Sequence, residues 1–367
     1  MKIAIIGSRG YPYVYSGYET LVKELSERLV ERGIEVTVYC HKALFQDRPK
    51  QVNGVKLVYL PSIETKVLSQ FIHSFFSMIH ACFSKVDVIF VVNSANGPFG
   101  VISKIFGKKT AINVDGMEWL RPKWKGLGAR YFYFASWLST KLYDQIINDS
   151  EEMRNIYLKL FKRDSIVIAY GATIRQTQDA SKIKKWGLEP SGYYLIVGRL
   201  IPDNNADLII KGFMQSKSLR KLVIIGDVPY KDEYSENIKL MGKEDSRVLF
   251  TGYVTDPEEL AELYHNAYVY LHGHEFGGTN PTMLKAMAYG SCILALNTKF
   301  NQEMLQGGKF GLFFEKQPGS VCEVIENMEG HPSLAQAMKE SSVDGINEKY
   351  SWDYVTNRYI QVFEQLM

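Results

Sequence analysis

Short apolar runs recur along this chain and alternate with longer stretches whose apolar positions fall on one helical stripe. In the first half the runs are Lys2–Gly7 (KIAIIG), Glu35–Cys40 (EVTVYC), Val86–Val92 (VDVIFVV), Thr110–Val114, Gln145–Ile147 and Ile166–Ala169. Between the first two, Leu21, Val22, Leu25, Leu29 and Val30 share a stripe that Gly33 ends, the spacing of an amphipathic helix. Buried strands alternating with helices predict a parallel, doubly wound sheet.

A polar stretch from Ile174 to Gly192, rich in Lys, Gln and Ser, interrupts this rhythm and reads as a linker with a short helix. The alternation then restarts with YYLIVG (193–198), KLVIIG (221–226), RVLFTG (247–252), AYVYL (267–271) and SCILAL (291–296). The expected architecture is therefore α/β with two Rossmann-like domains, residues 1–172 and 173–350. The segment 351–367 forms a final amphipathic helix. Two such sheets would face a cleft with their carboxyl ends, where open α/β sheets bind ligands.

The 367-residue length agrees with two cores, and 46% apolar with 23% charged residues is ordinary for a folded protein. A net charge of +3 is too small to imply nucleic acid. The strand beginning at Lys2 leaves no room for a secretory signal, and no apolar run is long enough for a spanning helix, so a cytoplasmic location is expected. Cys40, Cys82, Cys292 and Cys322 show no metal-binding spacing and read as buried, reduced thiols.

The chemistry concentrates at the ends of the predicted strands. His272–Gly290 (HGHEFGGTNPTMLKAMAYG) joins a strand to a helix through Gly277, Gly278, Thr279 and Asn280. Backbone N–H groups at such a helix entry suit a phosphate. Arg199, in VGRL, leaves the first strand of the second domain, where a guanidinium can clamp a diphosphate or form a salt bridge. Asp227 and Tyr253 end the next two strands and suit a nucleoside. In the first domain, the glycines of GSRGYPYVYSGYET (7, 10 and 17) do not fit the dinucleotide fingerprint. Gly10 and Gly17 either approach a phosphate or sugar, or only permit the turn. Asp115 and Glu118 follow a strand end that would face the cleft and suit a base or a sugar contact, with capping of the following helix an equally cheap alternative. Basic residues alternate with aromatics over Trp119–Tyr143, and Ile63–Lys85 is a further Phe- and His-rich helix. Either a membrane interface or an aromatic core with a lysine rim explains them. No pair of aspartates stands two apart, so no metal-nucleotide site is expected.

In order along the chain, GSRGYPYVYSGYET, NVDGMEW with RPKW, VGRLIPDNN and HEFGGTNPTMLKAMAYG resemble glycosyltransferase family 4, of GT-B fold, and within it the bacterial rhamnosyltransferase branch of surface polysaccharide synthesis. The resemblance implies a retaining, metal-independent transfer without cofactor, of L-rhamnose from dTDP-rhamnose to a lipid-diphosphate-linked saccharide, with peripheral contact at the inner face of the cell membrane. It assigns the donor diphosphate to Arg199, Gly277–Asn280 and the Gly10–Gly17 loop, and the reacting sugar or acceptor to Asp115 and Glu118. It also returns the last helix to the first domain. Two departures stand out. Gly277 and Lys285 occupy the positions of the wider family's two glutamates, so Lys285 meets the nucleoside where an acceptor is usual. A sugar-nucleotide epimerase and a non-catalytic nucleotide-sugar-binding subunit are the competing readings.

Overall fold

The computed structural model describes residues 1–13, 17–62, 68–114, 116–121, 124, 126–175, 177, 179–228 and 232–367. The chain divides into two compact units: Met1–Tyr170 together with Trp352–Met367, and Gly171–Ser351.

The first unit is built on an eight-stranded sheet. Its strands are β1 (Lys2–Ile6), β2 (Glu35–His41), β3 (Gln51–Val52), β4 (Val55–Leu60), β5 (Val88–Val92), β6 (Lys109–Val114), β7 (Gln145–Asn148) and β8 (Ile166–Val167), in the order β3-β4-β2-β1-β5-β6-β7-β8. All neighbours are parallel except β3 and β4. That pair is a hairpin closed by Asn53 and Gly54, both at positive φ (49° and 78°), the backbone that an Asn-Gly pair adopts at least cost. Every residue of β5 is buried, which is why the central strands read as continuous apolar runs. Helices α1 (Gly17–Glu31), α2 (Leu68–Phe83), α3 (Gly100–Ile105), α4 (Leu127–Leu142) and α5 (Glu151–Phe161) connect the strands.

The second unit carries β9 (Tyr193–Val197), β10 (Lys221–Ile225), β11 (Val248–Gly252), β12 (Val269–His272), β13 (Ile293–Leu296) and β14 (Leu312–Phe314), in the order β11-β10-β9-β12-β13-β14 and parallel throughout. This is the 3-2-1-4-5-6 order of a Rossmann sheet, whose direction of winding reverses between β9 and β12. Helices α6 (Ala206–Gln215), α7 (Glu233–Gly242), α8 (Pro257–Asn266), α9 (Pro281–Ala288), α10 (Lys299–Met304), α11 (Pro318–Gly330) and α12 (Pro332–Gly345) complete the unit.

The expected linker is shorter than its composition suggests. A 3-10 turn over Lys182–Trp186 buries Ile183, and Trp186 Nε1 donates to Glu259 of α8 at 2.7 Å, so this polar stretch packs on the second unit. The last helix, α13 (Trp352–Leu366), groups with the first. Its Tyr359 and Phe363 rings meet Phe90 of β5 at 5.2 and 5.7 Å, and the Tyr359 hydroxyl accepts from Asn113 Nδ2 at 3.1 Å. Of the four thiols, Cys40, Cys82 and Cys292 are buried and Cys322 is partly exposed.

Candidate functional site

At the winding reversal of the second unit, the loops leaving β9 and β12 are stitched together. Asn205 Nδ2 donates to the Gly273 carbonyl at 2.9 Å, the Glu275 N–H donates to the Asp203 carbonyl at 3.0 Å, and the Asn204 and His274 side chains meet at 2.8 Å. Lys316 holds the Glu275 carboxylate at 2.5 Å. The approach is so close that a Cβ on Gly273 would lie 2.3 Å from the Asn204 carbonyl. Likewise a Cβ on Gly226, at the end of β10, would lie 2.1 Å from the Gly198 carbonyl. Glycine is required at both positions because backbone meets backbone there.

Arg199 emerges from this stitched edge with an exposed side chain that has no partner among the described residues; its carbonyl accepts from Asn204 Nδ2 and from the Ile201 N–H. Gly277, Gly278 and Thr279 are buried, with Gly277 at φ 121°. Asn280 then caps α9, its Oδ1 accepting from the Thr282 N–H at 2.9 Å. Proline at the first helical position costs no hydrogen bond.

Behind the cap runs a chain of hydroxyls that fixes a histidine's tautomer. Asn280 Oδ1 faces a backbone N–H, so it can only accept, and the Thr282 hydroxyl must give it its proton at 2.7 Å. The Tyr270 hydroxyl in turn donates to Thr282 Oγ1 at 3.2 Å. With that proton spent, the 3.0 Å contact between Tyr270 and His272 Nδ1 is made by the ring N–H. Nε2 of His272 is thereby a bare acceptor, buried and without a partner among the described residues. Burial, and next the His274 ring beside it, hold His272 neutral, well below the usual histidine range. His272 lines a cavity of ≈ 20 Å³ together with Gly198, Arg199, Asn204, His274 and Thr282, room for a single water molecule. Sequence reasoning gave Tyr270 and His272 no role; the signal was the alternation Tyr270, His272, His274 at a strand's carboxyl end.

The expected nucleoside residues stand apart in kind. The structure brings Asp227 and Tyr253 together, the Tyr253 hydroxyl donating to the Asp227 carbonyl at 2.9 Å, and leaves the Tyr253 ring exposed. The Asp227 carboxylate is held by Lys239 at 2.6 and 2.8 Å. Burial works against its charge, but this ammonium outweighs it and keeps the carboxyl below its usual range. Lys285 is exposed on α9.

In the first unit, Gly10 (φ 128°) lies against Cys40, which a Cβ would meet at 2.8 Å, and Gly17 opens α1. Tyr15, Ser16 and Asp115 lie outside the described residues. Glu118 begins a 3-10 turn rather than an α-helix, because Gly116 turns the chain at φ 69°. Its carboxylate is 2.9 Å from Arg121 Nε and accepts from Trp124 Nε1 at 2.9 Å, a local clamp. Among the described residues no cluster of His, Cys, Asp or Glu could hold a metal ion.

The α/β fold with two parallel-sheet domains is that of the GT-B glycosyltransferases. Residues 178–343 match the family described as "Glycosyl transferases group 1", and residues 1–173 match a "Domain of unknown function (DUF1972)". Over 185 residues the chain is 26% identical to the lipopolysaccharide 1,2-N-acetylglucosaminetransferase of Salmonella typhimurium, covering 47% of this chain and 48% of that protein. The chain thus spans about half the length of the curated relatives it matches. Among solved structures, sucrose-phosphate synthase from Thermosynechococcus elongatus superimposes with a TM-score of 0.84 at 17% identity, covering 100% of this chain and 98% of that one. Anabaena HepE in complex with UDP-glucose gives 0.79 at 13% identity, covering 100% of both chains.

Proposed function

We propose that this protein is a retaining glycosyltransferase that moves a sugar from a nucleotide diphosphate to a lipid-diphosphate-linked saccharide, with dTDP-L-rhamnose as donor. The observation that carries the reading is Arg199, an exposed guanidinium with no partner among the described residues, on the stitched edge at the winding reversal of the second unit. An anionic diphosphate answers both the guanidinium and the glycine-lined entry to α9. The group 1 match spans this whole region. The UDP-glucose bound by HepE and the lipopolysaccharide acceptor of the Salmonella transferase support the substrate classes.

In the transfer the bond from the anomeric carbon to the diphosphate oxygen breaks. The bond to the acceptor oxygen forms, and the acceptor's proton passes to the departing phosphate. Arg199 and the Gly277–Asn280 backbone stabilise the charge that develops on that leaving group, so no carboxylate nucleophile is required. Asp115 and Glu118 are assigned to the sugar or acceptor, Asp227, Tyr253 and Lys285 to the nucleoside, and the Gly10–Gly17 loop to the diphosphate.

The test is incubation with dTDP-rhamnose, UDP-glucose and UDP-N-acetylglucosamine, each with a glucosyl or N-acetylglucosaminyl lipid diphosphate, read by mass spectrometry. A disaccharide product from dTDP-rhamnose is expected. Conversion of the donor with no acceptor present would instead make the protein an epimerase. Thermal stabilisation by dTDP without product would make it a binding subunit.

A further inference from the structure

The two hydroxyls beside the His272 ring have no proton to spare, because Tyr270 gives its own to Thr282 and Thr282 gives its own to Asn280. Asn204 donates through Nδ2 to the Arg199 carbonyl at 2.8 Å and turns its Oδ1 to His274. His272 is 3% exposed, and its Nε2 meets none of these groups. A buried acceptor costs free energy until a donor reaches it.

The place and size of the cavity at Nε2 define that donor. Gly198 and Arg199 at the end of β9, His272 and Gly273 at the end of β12, and Thr282 in the first turn of α9 bound it. It therefore lies between the strand that carries the uncommitted guanidinium and the helix entry that suits a diphosphate. A phosphate oxygen cannot answer Nε2, since both are acceptors. A sugar hydroxyl brings its carbon with it and needs more room than ≈ 20 Å³. One water molecule fits, and it carries two hydrogens and two lone pairs.

We propose that His272 is a positioning residue whose Nε2 holds one resident water, which gives a hydrogen to the ring, accepts from Arg199 and turns its second hydrogen to the leaving diphosphate. This rests on the glycosyltransferase reading and deepens it. The tie from Nδ1 to Tyr270 fixes the direction of the water in advance, because the ring cannot exchange its acceptor for a donor without breaking the relay to the α9 cap. Burial keeps the ring neutral and so preserves the lone pair that the water needs. The leaving group thus gains a donor that is already oriented before charge develops.

Two substitutions separate this role from support of the cap. In His272→Asn, Nδ2 stands as many bonds from Cβ as Nδ1 did, so the donor to Tyr270 is kept and the cavity is out of reach. In His272→Gln, Oε1 stands as many bonds away as Nε2 did, so the acceptor in the cavity is kept and the contact with Tyr270 is given up. Service to the cap alone favours asparagine, whereas a held water favours glutamine.

The experiment measures the affinity of the full chain for UDP, dTDP and inorganic pyrophosphate by calorimetry, and solves a crystal structure of the ligand-free wild type at a resolution that shows water. The crystal should place a water within about 3.2 Å of Nε2. His272→Gln should bind within about threefold of the wild type, and His272→Asn about tenfold more weakly. Absence of that water overturns the proposal, and this measurement needs no variant to fold. Equal affinities of the two variants, or tighter binding by His272→Asn, also overturn it while leaving the glycosyltransferase reading intact. A wild type that binds none of the three ligands overturns both.

Discussion

His272 donates through Nδ1 to the hydroxyl of Tyr270, 3.0 Å away, and this contact links a buried ring to the cap of α9 through Thr282 and Asn280. Tyr270→Phe cuts the chain, leaving the His272 N–H and the Thr282 lone pair unmet. The expected loss is about 1–3 kcal/mol, read as a melting temperature lower by roughly 2–4 °C per kcal/mol. Nitrogen NMR of labelled histidine should show the Nδ1–H tautomer in the wild type and its loss in the variant.

Arg199→Ala should leave the melting temperature unchanged, because the side chain is exposed. If the guanidinium holds the leaving diphosphate, kcat/KM falls by roughly 10- to 100-fold, the worth of a charge-assisted hydrogen bond. Lys285→Glu should alter the affinity for UDP and dTDP without a comparable fall in kcat, as measured by thermal shift with each nucleotide and by initial rates.

Gly226→Ala and Gly252→Ala separate backbone conformation from backbone crowding. Both residues sit at positive φ, 118° and 68°. A Cβ at 226 would strike the Gly198 carbonyl, whereas one at 252 meets nothing within 4 Å. Gly252→Ala should cost about 1 kcal/mol. Gly226→Ala should cost more than about 2 kcal/mol and also reduce nucleotide binding, because it pushes apart the β9 and β10 loops. Chemical denaturation and nucleotide-induced thermal shift read the two effects.

Acid should destabilise the first unit. His73 of α2 is buried with its ring centroid 3.9 Å from that of His41, and burial, then the neighbouring His41, pushes it down to about 3. The folded value is below the unfolded one, so the unfolded chain takes the proton first. Stability from this residue is complete above about pH 6.5 and declines as pH falls from there toward 3, by about 2 kcal/mol at pH 5. Denaturation midpoints at pH 7.5 and pH 5 measure the fall, and His73→Phe should flatten it.

The central strands were legible because both faces of each sheet are covered, so β1, β5 and β9 read as plain apolar runs. The short strand β14 has no clear apolar-run signature because Leu312 and Phe313 are only half buried, and β3 has none because it consists of Gln51 and Val52 alone. At the site, Arg199 and Gly277–Asn280 could be placed from strand ends alone. The tautomer of His272 could not, since it depends on four side chains from two stretches of chain, 270–272 and 280–282, meeting in space. Nor could the engagement of Asp227 by Lys239, which lies 12 residues further along the chain on α7.

Helix α13 has a consequence for the order of synthesis. The first unit is interrupted in sequence: Tyr359 and Phe363 cover Phe90 and Asn113 only after all of residues 171–351 have been made. As the chain leaves the ribosome, one face of the β5–β6 sheet stays open while the second unit is produced and folds without interruption. A premature stop before Trp352 would therefore leave the later unit whole and damage the earlier one.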